Sequence, residues 1–77
     1  MTTPEFIKKV EETAKTSNLE TIRVCNEVTI KIFEMYWYGT YVATLVISPT
    51  SEFLNIDAKI PYTVIGMDSI LNAIAKI

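Results

Sequence analysis

The sequence predicts an α+β domain: an antiparallel sheet of three or four strands, with an N-terminal and a C-terminal helix packed on one sheet face. Both ends of the chain carry apolar side chains at helical spacing. The segment between them is rich in β-branched and aromatic residues that alternate with polar ones. At 77 residues, 49% of them hydrophobic, the chain fits one small domain, residues 1–77.

The first helix is predicted over residues 3–17. Thr3 is the expected N-cap, and Pro4 suits the first helical turn. Ser17-Asn18 is expected to end the helix. One narrow apolar stripe recurs at helical spacing, so the helix needs a surface to pack on: Phe6, Ile7, Val10 and Ala14.

The second helix is predicted near the C-terminus, with Asp68 as its N-cap and Lys76 at the negative end of the dipole. Gly66 argues against a much earlier start. The helical spacing here is the strongest periodic signal in the chain. It is carried by Met67, Ile70, Leu71, Ile74 and Ile77.

The strands are predicted from turn residues as well as from alternation. Asn26-Glu27 suits a turn between the first two strands, and Gly39-Thr40 suits a two-residue type II′ hairpin turn. Pro49 and its neighbours then end the third strand. Residues 53–60 alternate as a possible fourth strand, which Pro61 ends or keeps at a sheet edge.

A turn at 39–40 pairs residue 36 with 43 and residue 33 with 46, which assigns each side chain to a face. The helices are then expected to cover one apolar face, in which Glu34 is the exception. That expected core face carries Ile32, Tyr36, Tyr38, Tyr41, Ala43, Leu45 and Ile47, extended by Ile22, Val24, Val28 and Ile30.

The opposite face is expected to be apolar too, which is unusual because the second face of a small α+β sheet is normally polar. Aromatic and Met side chains are enriched at the centres of protein interfaces. The pattern therefore predicts a partner-binding surface on this face. The surface consists of Phe33, Met35, Trp37, Val42 and Val46, and the polar Thr44 lies between them on the same face.

An alternative remains open at this point. A β-bulge near Phe33-Glu34 would exchange the two faces of the second strand. Glu34 would then point outward, and Phe33, Met35 and Trp37 would join the core.

Composition argues against catalysis. The chain has no His and a single cysteine, Cys25, so imidazole chemistry, an intrachain disulfide and a metal cluster are not expected. Gly39 and Gly66 are isolated, so no phosphate-binding loop is predicted. We expect no enzyme activity, cofactor or small-molecule substrate. A lone cysteine fits a reducing cytoplasm, and the charged N-terminal segment excludes a membrane span there.

Nucleic-acid binding is the alternative function. It would use the aromatic hairpin as a stacking platform, with cations at Lys8, Lys9, Arg23 and Lys31. The aromatic residues are Tyr36, Trp37, Tyr38 and Tyr41. Seven cations against nine acids give a net charge of −2, and this charge balance argues against nucleic-acid binding.

The α-β-β-β-α order resembles double-stranded RNA-binding domains in topology only, since Asp68-Ser69 stand where that family carries a basic motif. In size and composition the chain is similar to accessory or inhibitor proteins encoded by phages and mobile elements. The leading expectation is a non-enzymatic protein-interaction module. It would form a homodimer or bind a protein partner through the apolar face.

Overall fold

The computed structural model describes residues 1–27 and 30–77, without the side chains of residues 25–31. The elements are α1 (Thr3–Thr16), β1 (Glu20–Glu27), β2 (Ile30–Trp37), β3 (Thr40–Ile47), β4 (Glu52–Ile56), β5 (Tyr62–Ile65) and α2 (Met67–Lys76). Within the described residues, five strands form one antiparallel sheet in sequential order. The predicted α+β class, with both helices on one face, is confirmed.

Helix α1 is capped one residue earlier than the sequence predicts. The Thr2 hydroxyl, rather than that of Thr3, accepts a hydrogen bond from the Glu5 N–H at 3.3 Å. After Thr16 the chain leaves the helix as predicted. Asn18 has a φ of 61°, and the Leu19 N–H bonds to the Ala14 carbonyl at 2.8 Å. The predicted stripe of Phe6, Ile7, Val10 and Ala14 is buried.

The β2–β3 hairpin turns at Tyr38-Gly39, one residue before the predicted Gly39-Thr40. Trp37 pairs with Thr40, and the two residues between them have φ values of 49° and 81°. A two-residue loop with positive φ at both positions is characteristic of a type I′ turn. The prediction of a type II′ turn is therefore wrong.

A β-bulge lies in β3 rather than at Phe33-Glu34. Tyr36 pairs with Tyr41 and Met35 with Ala43, so Val42 is the extra residue. The Val42 carbonyl accepts a hydrogen bond from the Asp57 N–H at 2.8 Å, which satisfies the unpaired backbone group. The bulge therefore ties the centre of the sheet to the end of β4.

The bulge decides which face of the hairpin is buried. Phe33 pairs with Leu45 and Met35 with Ala43, and none of these side chains is more than 1% exposed. Side chains alternate along a strand, so moving one strand by one residue exchanges its faces. The core combines the sheet residues Phe33, Met35, Ala43, Leu45, Ile47, Leu54 and Ile56 with the helix residues Phe6, Ile7, Val10, Ala14, Ile70 and Ile74, together with Leu19.

The predicted core face is correct for Ala43, Leu45 and Ile47, but it is wrong for the first two strands and for Tyr41 of β3. The pairing places five residues expected in the core on the opposite face: Ile22, Val24, Ile32, Tyr36 and Tyr41. Tyr38 is in the turn and 78% exposed. The predicted positions of Val28 and of the Ile30 side chain lie outside the described residues. The turn predicted at Asn26-Glu27 is wrong, because β1 runs through both residues.

Only the first half of the predicted fourth strand, residues 53–60, is a strand. β4 ends at Ile56, residues 57–61 form the connection, and β5 begins after Pro61 at the edge of the sheet. Leu54 pairs with Val64 on the face that the helices cover, and Phe53 pairs with Ile65 on the other. A meander with five strands among the described residues departs from the α-β-β-β-α topology of double-stranded RNA-binding domains.

Helix α2 begins at Met67 after Gly66, whose φ is 95°, and it has no side-chain cap. Asp68, predicted as the N-cap, lies in the first turn, where its charge favours the positive end of the helix dipole. Ile70 and Ile74 are buried against α1 and the sheet. Among the described residues, no helix has both the length and the apolar character that crossing a membrane requires.

Candidate functional site

The sheet surface opposite the two helices, here called the open face, carries a continuous line of apolar side chains. Each member of this line pairs directly with the next across neighbouring strands, so the line crosses the whole sheet. We call it the apolar row: Val24, Ile32, Val46, Phe53 and Ile65. At a strand spacing of about 4.8 Å, the row is about 20 Å long.

Solvent reaches every member of the apolar row. Ile65, at the β5 edge, is 62% exposed, and the other four side chains are partly exposed. An isolated exposed apolar residue is ordinary, but a contiguous strip of them is characteristic of an interaction surface. The open face therefore has the composition expected at the centre of an interface.

A second row of paired residues, here called the mixed row, lies beside the apolar row on the open face. It consists of Ile22, Glu34, Thr44, Asn55 and Thr63. The Thr63 hydroxyl donates a hydrogen bond to Asn55 Oδ1 at 2.9 Å. The mixed row therefore sets hydrogen-bonding groups along one side of the apolar strip, as the polar rim of an interface does.

Two tyrosines continue the open face toward the hairpin tip. The rings of Tyr36 and Tyr41 meet edge to face, with centroids 5.8 Å apart. The Tyr36 hydroxyl donates to Glu34 Oε2 at 2.9 Å, and the Tyr41 hydroxyl is hydrogen-bonded to Thr44. The hydrogen bond to the Glu34 carboxylate, followed by desolvation and the negative charge of Glu34, raises the pKa of Tyr36 above its usual value.

The five residues predicted to bind a partner do not share one face. Phe33 and Met35 are in the core, and Val42 packs against the core from the bulge. Trp37 is 49% exposed at the hairpin tip, where its ring centroid lies 4.9 Å from that of Tyr38. Val46 alone belongs to the apolar row. The expectation of one shared exposed face is therefore wrong, because the register of the hairpin differs by one residue.

Four members of the apolar row are absent from the partner-binding surface predicted from the sequence: Val24, Ile32, Phe53 and Ile65. Val24 and Ile32 are assigned to the core by the register error, and Ile65 lies in a strand that was not predicted. The informative signal is Glu34, which shares its strand and parity with Ile32. A charge in the middle of a strand marks the face that remains accessible to solvent.

The aromatic and basic residues of the nucleic-acid alternative lie apart. Tyr36 and Tyr41 are on the open face, whereas Lys8 and Lys9 are exposed on α1, on the other side of the sheet. Arg23 also lies on the helix side, where it forms an ion pair with Glu11 and sits 5.3 Å above the Phe33 ring. The Lys31 side chain is outside the described residues.

The chain matches no protein-family model, no curated protein and no solved structure. No residue role is therefore carried over to it from another protein.

Proposed function

We propose that this chain is a non-enzymatic protein-interaction module that binds another protein chain through the open face of its sheet. The apolar row is the observation that carries the proposal. Its five apolar side chains form one strip across the sheet, and covering them removes apolar surface from water at a gain of about 25 cal/mol per Å².

The surroundings of the row support a specific surface rather than a general hydrophobic one. Glu34, Thr44 and Asn55 can each hydrogen-bond to a partner, and they lie in register beside the apolar strip. Buried polar groups left without a hydrogen bond disfavour a wrong partner, so such a rim provides selectivity.

The sequence supports the non-enzymatic part of the proposal. It has no His, and its single cysteine fits a protein of the reducing cytoplasm. A chain of this size that binds without catalysis would act as an accessory or inhibitor protein. The nucleic-acid alternative has no comparable support. Tyr36 and Tyr41 lie on the open face, whereas Lys8, Lys9 and Arg23 lie on the helix side of the sheet.

Site-specific photo-cross-linking tests the proposal even when the partner is unidentified. Benzoylphenylalanine replaces Phe53 in the apolar row, and in a matched control it replaces Glu12, which is exposed on α1. Irradiation of expressing cells is expected to yield adducts of discrete mass from position 53 and none from position 12. Equal adduct patterns from the two positions, or none from position 53, would contradict the proposal.

A further inference from the structure

We infer that the protein chain covering the open face is a second copy of this chain, related to the first by a two-fold axis parallel to β3. The inference rests on the proposed function and names the partner of the same face. Two sheets that pack face to face lie about 10 Å apart with strand directions within about 30° of each other. A second copy can therefore cover the open face only if that face complements itself.

The apolar row is complementary to itself about its centre. β3 is the middle strand of the five described, so a two-fold rotation about an axis along it places β1 over β5 and β2 over β4. Val46 then faces Val46 of the second copy, and Ile32 faces the second copy's Phe53. The outermost pair is Val24 with Ile65. Every apolar side chain of the row meets another one.

The three central residues of the mixed row are complementary in hydrogen bonding. The same rotation places Thr44 opposite Thr44 of the second copy and Glu34 opposite the second copy's Asn55. Asn55 Oδ1 already accepts from Thr63, which leaves its amide nitrogen to donate, and Glu34 Oε1 can accept. A charge-assisted hydrogen bond can therefore form on each side of the axis.

Like charges remain apart in this arrangement. The two Glu34 side chains lie on opposite sides of the axis, because the second copy's β2 is over β4. The separation across the sheet is about two strand spacings, close to 10 Å. Glu34 thus gains a hydrogen-bond donor without facing another carboxylate.

The area of the open face sets the size class of the proposed dimer interface. Five strands at about 4.8 Å spacing, averaging about 22 Å in length, give roughly 500 Å² per copy. A stable interface of standard size buries about 800 Å² per partner. The dimer therefore belongs to the small interface class, and we expect its mass in solution to rise with protein concentration.

Charge complementation tests both the partner and the axis. Ile32→Lys and Phe53→Glu are purified separately under reducing conditions, and their folding is checked by circular dichroism. Each variant alone should weaken the dimer at least about tenfold, because it sets a charge against an apolar side chain. A mixture of the two should recover the mass of two chains, since the introduced lysine of one chain then faces the introduced glutamate of the other.

A second pair keeps the test decisive if either variant fails to fold. Thr44→Lys and Thr44→Glu change a solvent-accessible residue that faces itself across the axis. Each alone should be monomeric, and their mixture should be dimeric. Recovery of the dimer by Ile32→Lys mixed with Ile32→Glu, but not with Phe53→Glu, would overturn the axis along β3.

Failure of the second-copy inference is distinguishable from failure of the proposed function. If the wild-type chain is monomeric at every concentration while position 53 cross-links to other proteins, the second copy is excluded and the open face remains a binding surface. If the chain is monomeric and position 53 yields no adduct, both are overturned.

Discussion

Phe33 on β2 lies directly opposite Leu45 on β3, and both side chains are buried beneath the helices. The residues next to them, Ile32 and Val46, are therefore also paired, but on the open face. This single register places one pair in the core and the other in the apolar row. It accounts for both the stability of the hairpin and the surface proposed for binding.

The buried and open faces should differ in their response to truncation. Phe33→Ala removes a fully buried ring, so we expect the free energy of unfolding to fall by about 3 to 5 kcal/mol. Ile32→Ala, one residue away on the open face, should lower it by only about 1 kcal/mol in the monomer. Urea denaturation of dilute protein measures both. Equal losses, or a larger loss for Ile32→Ala, would show that the register is wrong.

The hairpin turn offers a stabilising substitution. Tyr38 has a φ of 49°, a conformation that costs a residue with a side chain about 1 to 2 kcal/mol. Asn tolerates this region better and precedes Gly in the preferred type I′ turn, so Tyr38→Asn should raise the free energy of unfolding by roughly 0.5 kcal/mol.

Gly39→Ala is the matched control for the turn. No atom lies within 4 Å of the position where its Cβ would stand, so any loss reflects the φ of 81° alone. We expect a loss of about 1 kcal/mol in thermal or urea denaturation. A neutral Gly39→Ala would argue against positive φ at this position.

Two adjacent threonines distinguish the observed cap of α1 from the one expected on sequence grounds. Thr2 provides the capping oxygen to the Glu5 N–H, so Thr2→Ala should lower the free energy of unfolding by about 1 kcal/mol. Thr3 is the first residue of α1 and is exposed, so Thr3→Ala should have little effect. A larger loss for Thr3→Ala than for Thr2→Ala in parallel denaturation experiments would show that Thr3 is the N-cap.

The Tyr36–Glu34 hydrogen bond should make Tyr36 of the folded protein ionise at a higher pH than a tyrosine of the unfolded chain. The pKa of Tyr36 is raised in the folded state, chiefly by that bond, relative to about 10 in the unfolded chain. Its contribution to stability is therefore fully present below about pH 10 and is lost as the pH rises through the raised pKa.

Phenolate absorbance measures this titration directly. Tyr36→Phe should remove a component that titrates at high pH, and Glu34→Gln should move that component toward lower pH by removing the negative charge. A titration curve unchanged by Glu34→Gln would show that the Glu34 carboxylate does not raise the pKa of Tyr36.

The helices could be predicted from the sequence because their signals are local. The stripe of α1 is buried as expected, and Ile70 and Ile74 of α2 lie in the core. Spacing along one helix decides which side chains share a face, and this needs no information from the rest of the chain.

The open face was predictable only as an alternative, because it depends on pairing between strands. The alternative with a β-bulge correctly places Phe33 and Met35 in the core and Glu34 outside, but the bulge lies at Val42 and not at Phe33-Glu34. Moving the turn from Gly39-Thr40 to Tyr38-Gly39 shifts the pairing by two residues and leaves the faces unchanged. The Val42 bulge adds one residue to β3, and this exchanges the face of β2 that lies with Ala43 and Leu45. Both strands carry apolar residues at odd and even positions, so either register buries an apolar set. β5 has only four residues, and its assignment depends on pairing with β4.

The open face, rather than the hairpin tip, is the surface at which we propose that this chain meets a second copy. Sedimentation velocity of the wild-type chain, Val46→Lys and Trp37→Lys over a series of concentrations tests it most directly. We expect the sedimentation coefficient to rise with concentration for the wild-type chain and Trp37→Lys but to remain that of a folded monomer for Val46→Lys. A rise for Val46→Lys equal to that of the wild-type chain, or a loss confined to Trp37→Lys, would contradict the claim.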